Sequence, residues 1–190
     1  MRRLFVLAAV VLAASGMVAP VAPSAGAAAA QCAVTWGSLP KTSTPVTSAA
    51  IANIRGGRHA CYDRLVFDLG APQVAFPGQA AGYSVRYVRV VTLDGSGQAI
   101  PLAGGAFLQV NVHANAHDID TGVPTYRPAN RARAVNVTGF RTFRQVYFGG
   151  TFEGITTVGL GVRARLPFRV FVLAGPGSGS RLVIDVAHTW

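Results

Sequence analysis

Three observations predict an all-β fold for this 190-residue chain. After residue 30 no segment holds a sustained helical period. Short runs of alternating apolar and polar residues recur instead, separated by Gly, Pro and Asp/Asn/Ser turns. The run Arg64-Leu-Val-Phe-Asp-Leu69 also returns, almost letter for letter, as Arg181-Leu-Val-Ile-Asp-Val186. Eight or nine short, mainly antiparallel strands with turns at regular spacing predict a β-sandwich. The near-repeat of Arg64 and Asp68 in Arg181 and Asp185 raises internal pseudo-symmetry. Neighbouring antiparallel copies would let Arg64 meet Asp185 and Asp68 meet Arg181. A symmetric sandwich could instead place the copies in different sheets.

The elements follow in order. Ile51–Arg55 is a first short strand, and Gly56-Gly57 is expected to turn the chain. Arg64–Leu69 is the next strand, with Leu65, Phe67 and Leu69 on one face and Arg64, Val66 and Asp68 on the other. Gly70 and Pro72 stop it, and a loop runs to Gly82. Tyr83–Val91 is the clearest alternating run, and Asp94-Gly-Ser-Gly97 is a strong hairpin signal. Phe107–His113 places Leu108, Val110 and Val112 on one face. Residues 114–133 read as a long irregular segment, a length that is usually functional or mobile. Strands are expected at Val135–Thr138 and Gln145–Phe148, with Gly149-Gly150 as a break. Glu153–Val162 is β-branched but carries three internal glycines, which in a strand mark a bulge or a close backbone approach. Phe168–Leu173 and Arg181–Val186 close the fold across the flexible run Gly175–Ser180.

The N-terminus is of a different kind. Met1-Arg2-Arg3 precedes an apolar run from Leu4 to Val18, then Pro20 and an Ala/Gly-rich end. A positive start, a short apolar stretch and small residues before a cut site predict a secretory signal over residues 1–30. The run is short for a membrane span; an uncleaved anchor is the alternative. Cys32 follows Ala-Ala-Gln, which does not match a lipidation signal. Residues 31–50 then read as a tether with Trp36, Pro40, Pro45 and a Ser/Thr cluster, leaving a domain over residues 51–190. The chain past residue 30 is expected to have no transmembrane segment.

Cys32 and Cys61 are the two cysteines. An even count in an exported chain predicts a disulfide between them, with Trp36 packing nearby. Neither Cys-x-x-Cys nor metal-ligand spacing occurs, which disfavours redox catalysis and zinc; no metal and no cofactor are expected. Without Arg2 and Arg3, fifteen basic residues face seven acids, a net charge of +8. Only Lys41 is a lysine, a bias that points to a GC-rich genome. A basic exported protein meets anionic surfaces such as wall polymers, headgroups or acidic glycans, whereas export disfavours nucleic acid.

Catalytic signatures are few. His113, His117, Asp118 and Asp120 fall within eight residues and offer metal-binding groups, but no second segment adds ligands. No Gly-x-Ser-x-Gly elbow follows a strand. Asp63, Asp68 and Asp185 each neighbour an arginine, as ion-paired carboxylates do. Gly159-Leu-Gly161 opens no helix, so it is not a dinucleotide fingerprint. What remains is aromatic and basic: Tyr62, Tyr83, Tyr126, Arg127, Arg131, Arg133, Arg141 and Arg144. Aromatic faces stack on sugar rings and arginine pairs carboxylates and phosphates in a fork. Tyr126 with Arg127, Arg131, Arg133, Arg141 and Arg144 is the candidate binding set, on a long loop and its flanks.

Trp36-Gly-Ser-Leu-Pro40, Gly57-Arg-His-Ala-Cys-Tyr-Asp-Arg-Leu-Val66, Phe152-Glu-Gly154, Pro167-Phe168 and Arg181-Leu-Val-Ile-Asp-Val-Ala-His188 together carry a resemblance. The chain resembles the AMIN-like domain of proteins exported by high-GC Gram-positive, actinobacterial cells. The related AMIN domain is a two-sheet sandwich with internal symmetry, found on cell-wall amidases and envelope secretion proteins and implicated in localisation and peptidoglycan binding. The resemblance implies a place of action more than a reaction, and it carries over no catalytic residue. The expectation is a secreted, wall-associated and non-enzymatic module that binds peptidoglycan, an anionic wall polymer or an envelope protein. A secreted interaction or inhibitor domain, or a hydrolase using the His113–Asp120 region, are the alternatives. The sequence leaves the oligomeric state open.

Overall fold

The computed structural model describes residues 32–45, 47–72 and 81–190; the segment read as a secretory signal lies outside them. The described residues form β1 (Lys41–Ser43), β2 (Ile51–Arg58), β3 (Tyr62–Leu69), β4 (Gly82–Val88), β5 (Val91–Thr92), β6 (Ala99–Ile100), β7 (Ala106–His113), β8 (Phe143–Phe152), β9 (Ile155–Val162), β10 (Phe168–Ala174) and β11 (Ser180–Ala187). A single 3-10 turn covers Arg131–Arg133. All pairings are antiparallel, in a five-stranded sheet β1-β4-β7-β9-β8, a four-stranded sheet β10-β11-β3-β2 and the hairpin β5-β6. Eleven strands replace the expected eight or nine, because β1, β5 and β6 are too short to show a period of two.

The alternation of each long strand explains the layering. Leu65 and Phe67 of β3 and Leu182 and Ile184 of β11 point from the four-stranded sheet into one core. They meet Val85 of β4, Leu108 and Val110 of β7, and Val158 and Leu160 of β9 there. Every one of these side chains is fully buried. At about 25 cal/mol per Å² of apolar area, each contributes roughly 1.5–3 kcal/mol against exposure.

Several expected breaks are not breaks. Gly56-Gly57 continues β2, and the chain turns at His59–Cys61 instead. Gly56 is glycine because a Cβ there would lie 3.0 Å from the Phe140 ring. Gly149-Gly150 lies inside β8, where a register shift between Phe148 and Gly150 bulges the strand without ending it. Val135–Thr138 is not a strand. Thr138 N–H donates to Asn136 Oδ1 and Phe140 N–H to Val137 O, so the segment turns while Val135, Val137 and Phe140 pack on the core. The run from Tyr83 divides at Arg89-Val90, which is exposed, and resumes as β5. The Asp94–Gly97 turn joins β5 to β6.

Of the three glycines expected in the Glu153–Val162 run, Gly154 falls in the turn before β9 at φ +79°, and the two inside β9 have a common cause. Leu102 packs over Gly159, and the Ala103 carbonyl stands where a Cβ on Gly161 would be. Residues 99–105 and the β5-β6 hairpin thus lie over the outer face of the five-stranded sheet; Thr92 N–H donates to Gln109 Oε1 of β7. The outer face of the four-stranded sheet has no comparable cover among the described residues.

A buried polar knot joins the two sheets at one end. Asp63, fully buried on β3, accepts from Thr142 N–H at 2.5 Å and Phe143 N–H at 3.1 Å, at the start of β8. Its other oxygen faces His188 Nε2 at 3.1 Å, while His188 Nδ1 faces the Ala60 carbonyl at 3.2 Å. His188 N–H donates to Cys61 O, and Cys61 is bonded to Cys32. The disulfide draws residues 32–40 across the β10 edge, where Phe168 N–H donates to Gly37 O.

Closing a separation of 29 residues stabilises by roughly 3–4 kcal/mol on the chain-entropy model. Replacing both cysteines by serine is expected to lower denaturant stability by about that amount, and the denatured, unreduced parent is expected to titrate no free thiol. Gly161→Ala is expected to cost about 1–3 kcal/mol through overpacking against the 102–103 segment. Chemical denaturation of each variant checks the two stability values, and thiol titration of the parent checks the bond.

Candidate functional site

The two copies of the repeat are neighbours. β11 pairs β3 with Arg64 opposite Asp185, Val66 opposite Val183 and Asp68 opposite Arg181. Residues directly opposite share a face, so these six stand together on the outer face of the four-stranded sheet. β10 extends the rows, with Arg169 opposite Asp185 and Phe171 opposite Val183.

Asp185 is 0% exposed although it points outward. Arg64 covers it with a fork, Nε to Oδ1 at 2.6 Å and Nη2 to Oδ2 at 2.9 Å. Arg169 adds Nε to Oδ2 at 2.9 Å. A buried carboxylate left unpaired would be costly, and two charge-assisted partners remove that cost. Arg64 is held above the ordinary arginine value, chiefly by the hydrogen bond to Asp185.

Aromatic rings frame both guanidiniums. Arg169 lies 4.3 Å from the Trp36 ring centre and 5.1 Å from that of Phe171. Arg64 lies 5.2 Å from Tyr62, which stacks on His59 at 4.5 Å and meets Trp36 edge-on at 5.6 Å. The ring faces attract the cations and hold them flat. The tether with Trp36 is therefore part of this surface, brought there by the disulfide.

At the far end of the same face, Arg55 forks Asp68 through Nε at 2.8 Å and Nη2 at 3.0 Å. That hydrogen bond is the main reason the Arg55 guanidinium stands above its ordinary value. Arg181 does not bond Asp68, despite being opposite it. Its Nε and Nη2 donate to the Gly175 and Ala174 carbonyls. Arg55, Asp68 and Arg181 line an open groove of about 820 Å³ beside the Gly175–Ser180 loop.

The residues of the candidate loop set differ in their surroundings. Tyr126 packs edge-on against Phe148 at 5.1 Å and its hydroxyl donates to Ala134 O, so it serves the core. Burial raises its phenol above the ordinary value. Arg131 spends its guanidinium on the Phe148 and Gly149 carbonyls at the β8 bulge. Arg144 donates to the Phe140, Phe143 and Arg141 carbonyls. Arg127, Arg133 and Arg141 are exposed. Arg127 and Arg131 line one groove and Arg133 and Arg144 another. In the His113–Asp120 region, Asp118 Oδ1 accepts from Asp120 N–H, Thr121 N–H and the Thr121 hydroxyl, which closes a turn. Among the described residues no three His, Cys, Asp or Glu side chains are grouped to hold a metal.

Arg55, Arg169, Phe171, Trp36 and His59 are absent from the binding set named from sequence, although Trp36 was expected to pack near the disulfide. The one local signal was in β10, where Arg169 and Phe171 occupy alternate, non-core positions of a strand.

A family model for the AMIN-like domain matches residues 49–188. None of the curated proteins matches the chain.

Asp185→Asn is expected to destabilise by about 2 kcal/mol. That is below the 3–5 kcal/mol of a fully buried pair, because Arg64 and Arg169 keep 22% and 40% exposure. Asp68→Asn, at the more exposed pair, is expected to cost about 0–1 kcal/mol. Urea melts of the two variants test the ranking. Tyr126 gives a pH dependence. Its folded value exceeds the unfolded one, so its contribution is complete below about pH 10 and is lost as pH rises through the folded value. Tyr126→Phe is expected to make the alkaline fall in melting temperature shallower.

Proposed function

Because the chain belongs to the AMIN-like domain family, we propose that it is an exported, non-enzymatic module of the cell envelope that binds peptidoglycan or an associated anionic wall polymer. Family membership supports the envelope location, and the Cys32–Cys61 bond suits an oxidising compartment. No helix among the described residues is long and apolar enough to cross a membrane.

The observation that carries the binding role is the Arg64–Asp185–Arg169 cluster. Two guanidiniums share one carboxylate, so the cluster keeps a formal charge of about +1 between the faces of Trp36, Tyr62 and Phe171. Such a surface matches a sugar chain bearing carboxylate or phosphate, through ring stacking and forked hydrogen bonds. A protein partner is the second reading, favoured by Ile119 and Val123, both exposed on one loop.

Sedimentation with purified cell wall tests the proposal. The parent is expected to pellet with wall, and less so as salt rises, because exposed charges are screened over about 8 Å at physiological ionic strength. The variant Trp36→Ala, Arg169→Gln is expected to remain largely in the supernatant. A variant with Arg131, Arg133, Arg141 and Arg144 all changed to glutamine is expected to retain more binding than it. If the first variant pellets as the parent does, at low and high salt alike, the sheet face is not the binding surface.

A further inference from the structure

The register of β3 on β11 places a local two-fold axis between Val66 and Val183. Arg64 then corresponds to Arg181, and Asp68 to Asp185. Each carboxylate lies beside two arginines: Asp185 between Arg64 and Arg169, Asp68 bonded by Arg55 and opposite Arg181. The face thus carries two clusters, each with a formal charge of about +1. Four residues of extended strand separate them, about 13 Å. Val66 and Val183 fill the interval and are almost fully buried beneath their neighbours.

All four arginines are held in the same way. Arg55 and Arg64 use Nε and Nη2 on carboxylates; Arg181 uses Nε and Nη2 on carbonyls; Arg169 uses Nε and Nη2 on Asp185. In each, Nη1 takes no part in these bonds. Among the described residues the guanidinium planes are therefore fixed by one edge, and the third nitrogen is left for another acceptor. Arg55 and Arg169 are the more open of the carboxylate-bound three, with 50% and 40% side-chain exposure.

We propose that this face is a two-site clamp for a linear glycan that carries carboxylates at intervals, one carboxylate bound at each cluster through the Nη1 groups. The proposal rests on the wall-polymer reading and deepens it by specifying a charged repeat. Charge complementarity selects the occupant: two separated positive clusters oppose two separated negative groups, while the half-buried Trp36, Tyr62 and Phe171 stand beside the first cluster, where a sugar can pack. Because the sites are rigidly joined through neighbouring strands, engagement of the first makes the second intramolecular, and affinity rises steeply once one chain spans both.

Hyaluronan fragments are a suitable probe, since every second sugar carries a carboxylate. Calorimetry would compare a fragment with one glucuronate against fragments with several, the same fragments with carboxylates reduced to alcohols, and poly(glycerol phosphate) of matched charge. The multivalent fragment is expected to bind about a hundredfold or more tighter than the single-charge fragment, and the reduced fragments are expected not to bind. Arg169→Gln and Arg55→Gln each leave a second arginine beside the affected carboxylate, so both are expected to fold, which circular dichroism melts would verify. Either is expected to abolish the length dependence while only about halving the number of sites seen by the short fragment. A long fragment binding no tighter than a short one, by a protein that still pellets with wall, overturns the two-site arrangement and leaves wall binding standing. Failure to bind both wall and glycan removes the two together. Tighter binding of the phosphate polymer than of the glycan overturns the carboxylate assignment.

Discussion

If β11 slipped by one residue against β3, the face of every side chain on it would exchange. Leu182, Ile184 and Val186 would turn outward, and Asp185 would enter a core made by Leu65, Phe67, Val110 and Leu160. The antiparallel register of Arg64 on Asp185 is therefore the constraint on which the four-stranded sheet depends. Hydrophobic alternation on the inner face and the guanidinium fork on the outer face select the same register. Agreement of two independent interactions leaves one arrangement well below its competitors. The two central strands also carry the near-identical sequences, so the local two-fold axis follows from the register itself.

The two sheets differ in what lies over their outer faces. Over the five-stranded sheet, Leu102 and Ala103 press onto the glycines of β9, and the β5-β6 hairpin covers Gln109. Over the four-stranded sheet, among the described residues, there are only long side chains and the tether that brings Trp36. That asymmetry distinguishes one face. The tether reaches it because Cys32 is bonded to Cys61, one residue before β3, and because Asp63 and His188 fix that corner against the start of β8. Structural pieces that look unrelated along the chain thus converge on the position of a single indole.

Arginine serves both structure and recognition here. A lysine ammonium could neutralise Asp185, but it could not fork the carboxylate, lie flat on Trp36 and keep a further donor directed elsewhere. The same bias has a cost for surface reading: Arg131 and Arg144 look available in sequence and are engaged by backbone carbonyls in the fold. An arginine-rich surface cannot be divided into structural and binding groups until the acceptors near each guanidinium are known.

The all-β class, the faces of β3, β7 and β11, the β5-β6 turn and the cysteine pair were legible in sequence, because each depends on local alternation, local turn chemistry or a count of two. Glycine was ambiguous. Gly56 and Gly149 resemble breaks, yet they lie inside strands, since the need for a missing Cβ comes from Phe140 and from Thr157 and Leu93, which arrive from elsewhere in the chain. The candidate site was the least legible part. Arg64 and Asp185 are separated by 121 positions and Trp36 and Arg169 by still more, and no periodicity relates them. Local alternation alone establishes which side chains point inward and that Arg and Asp recur at matched places on two strands. Long-range packing settles that those strands adjoin, that Arg55 rather than Arg181 bonds Asp68, and that among the described residues no loop covers one sheet face, because strand pairing and loop coverage join segments far apart in the chain.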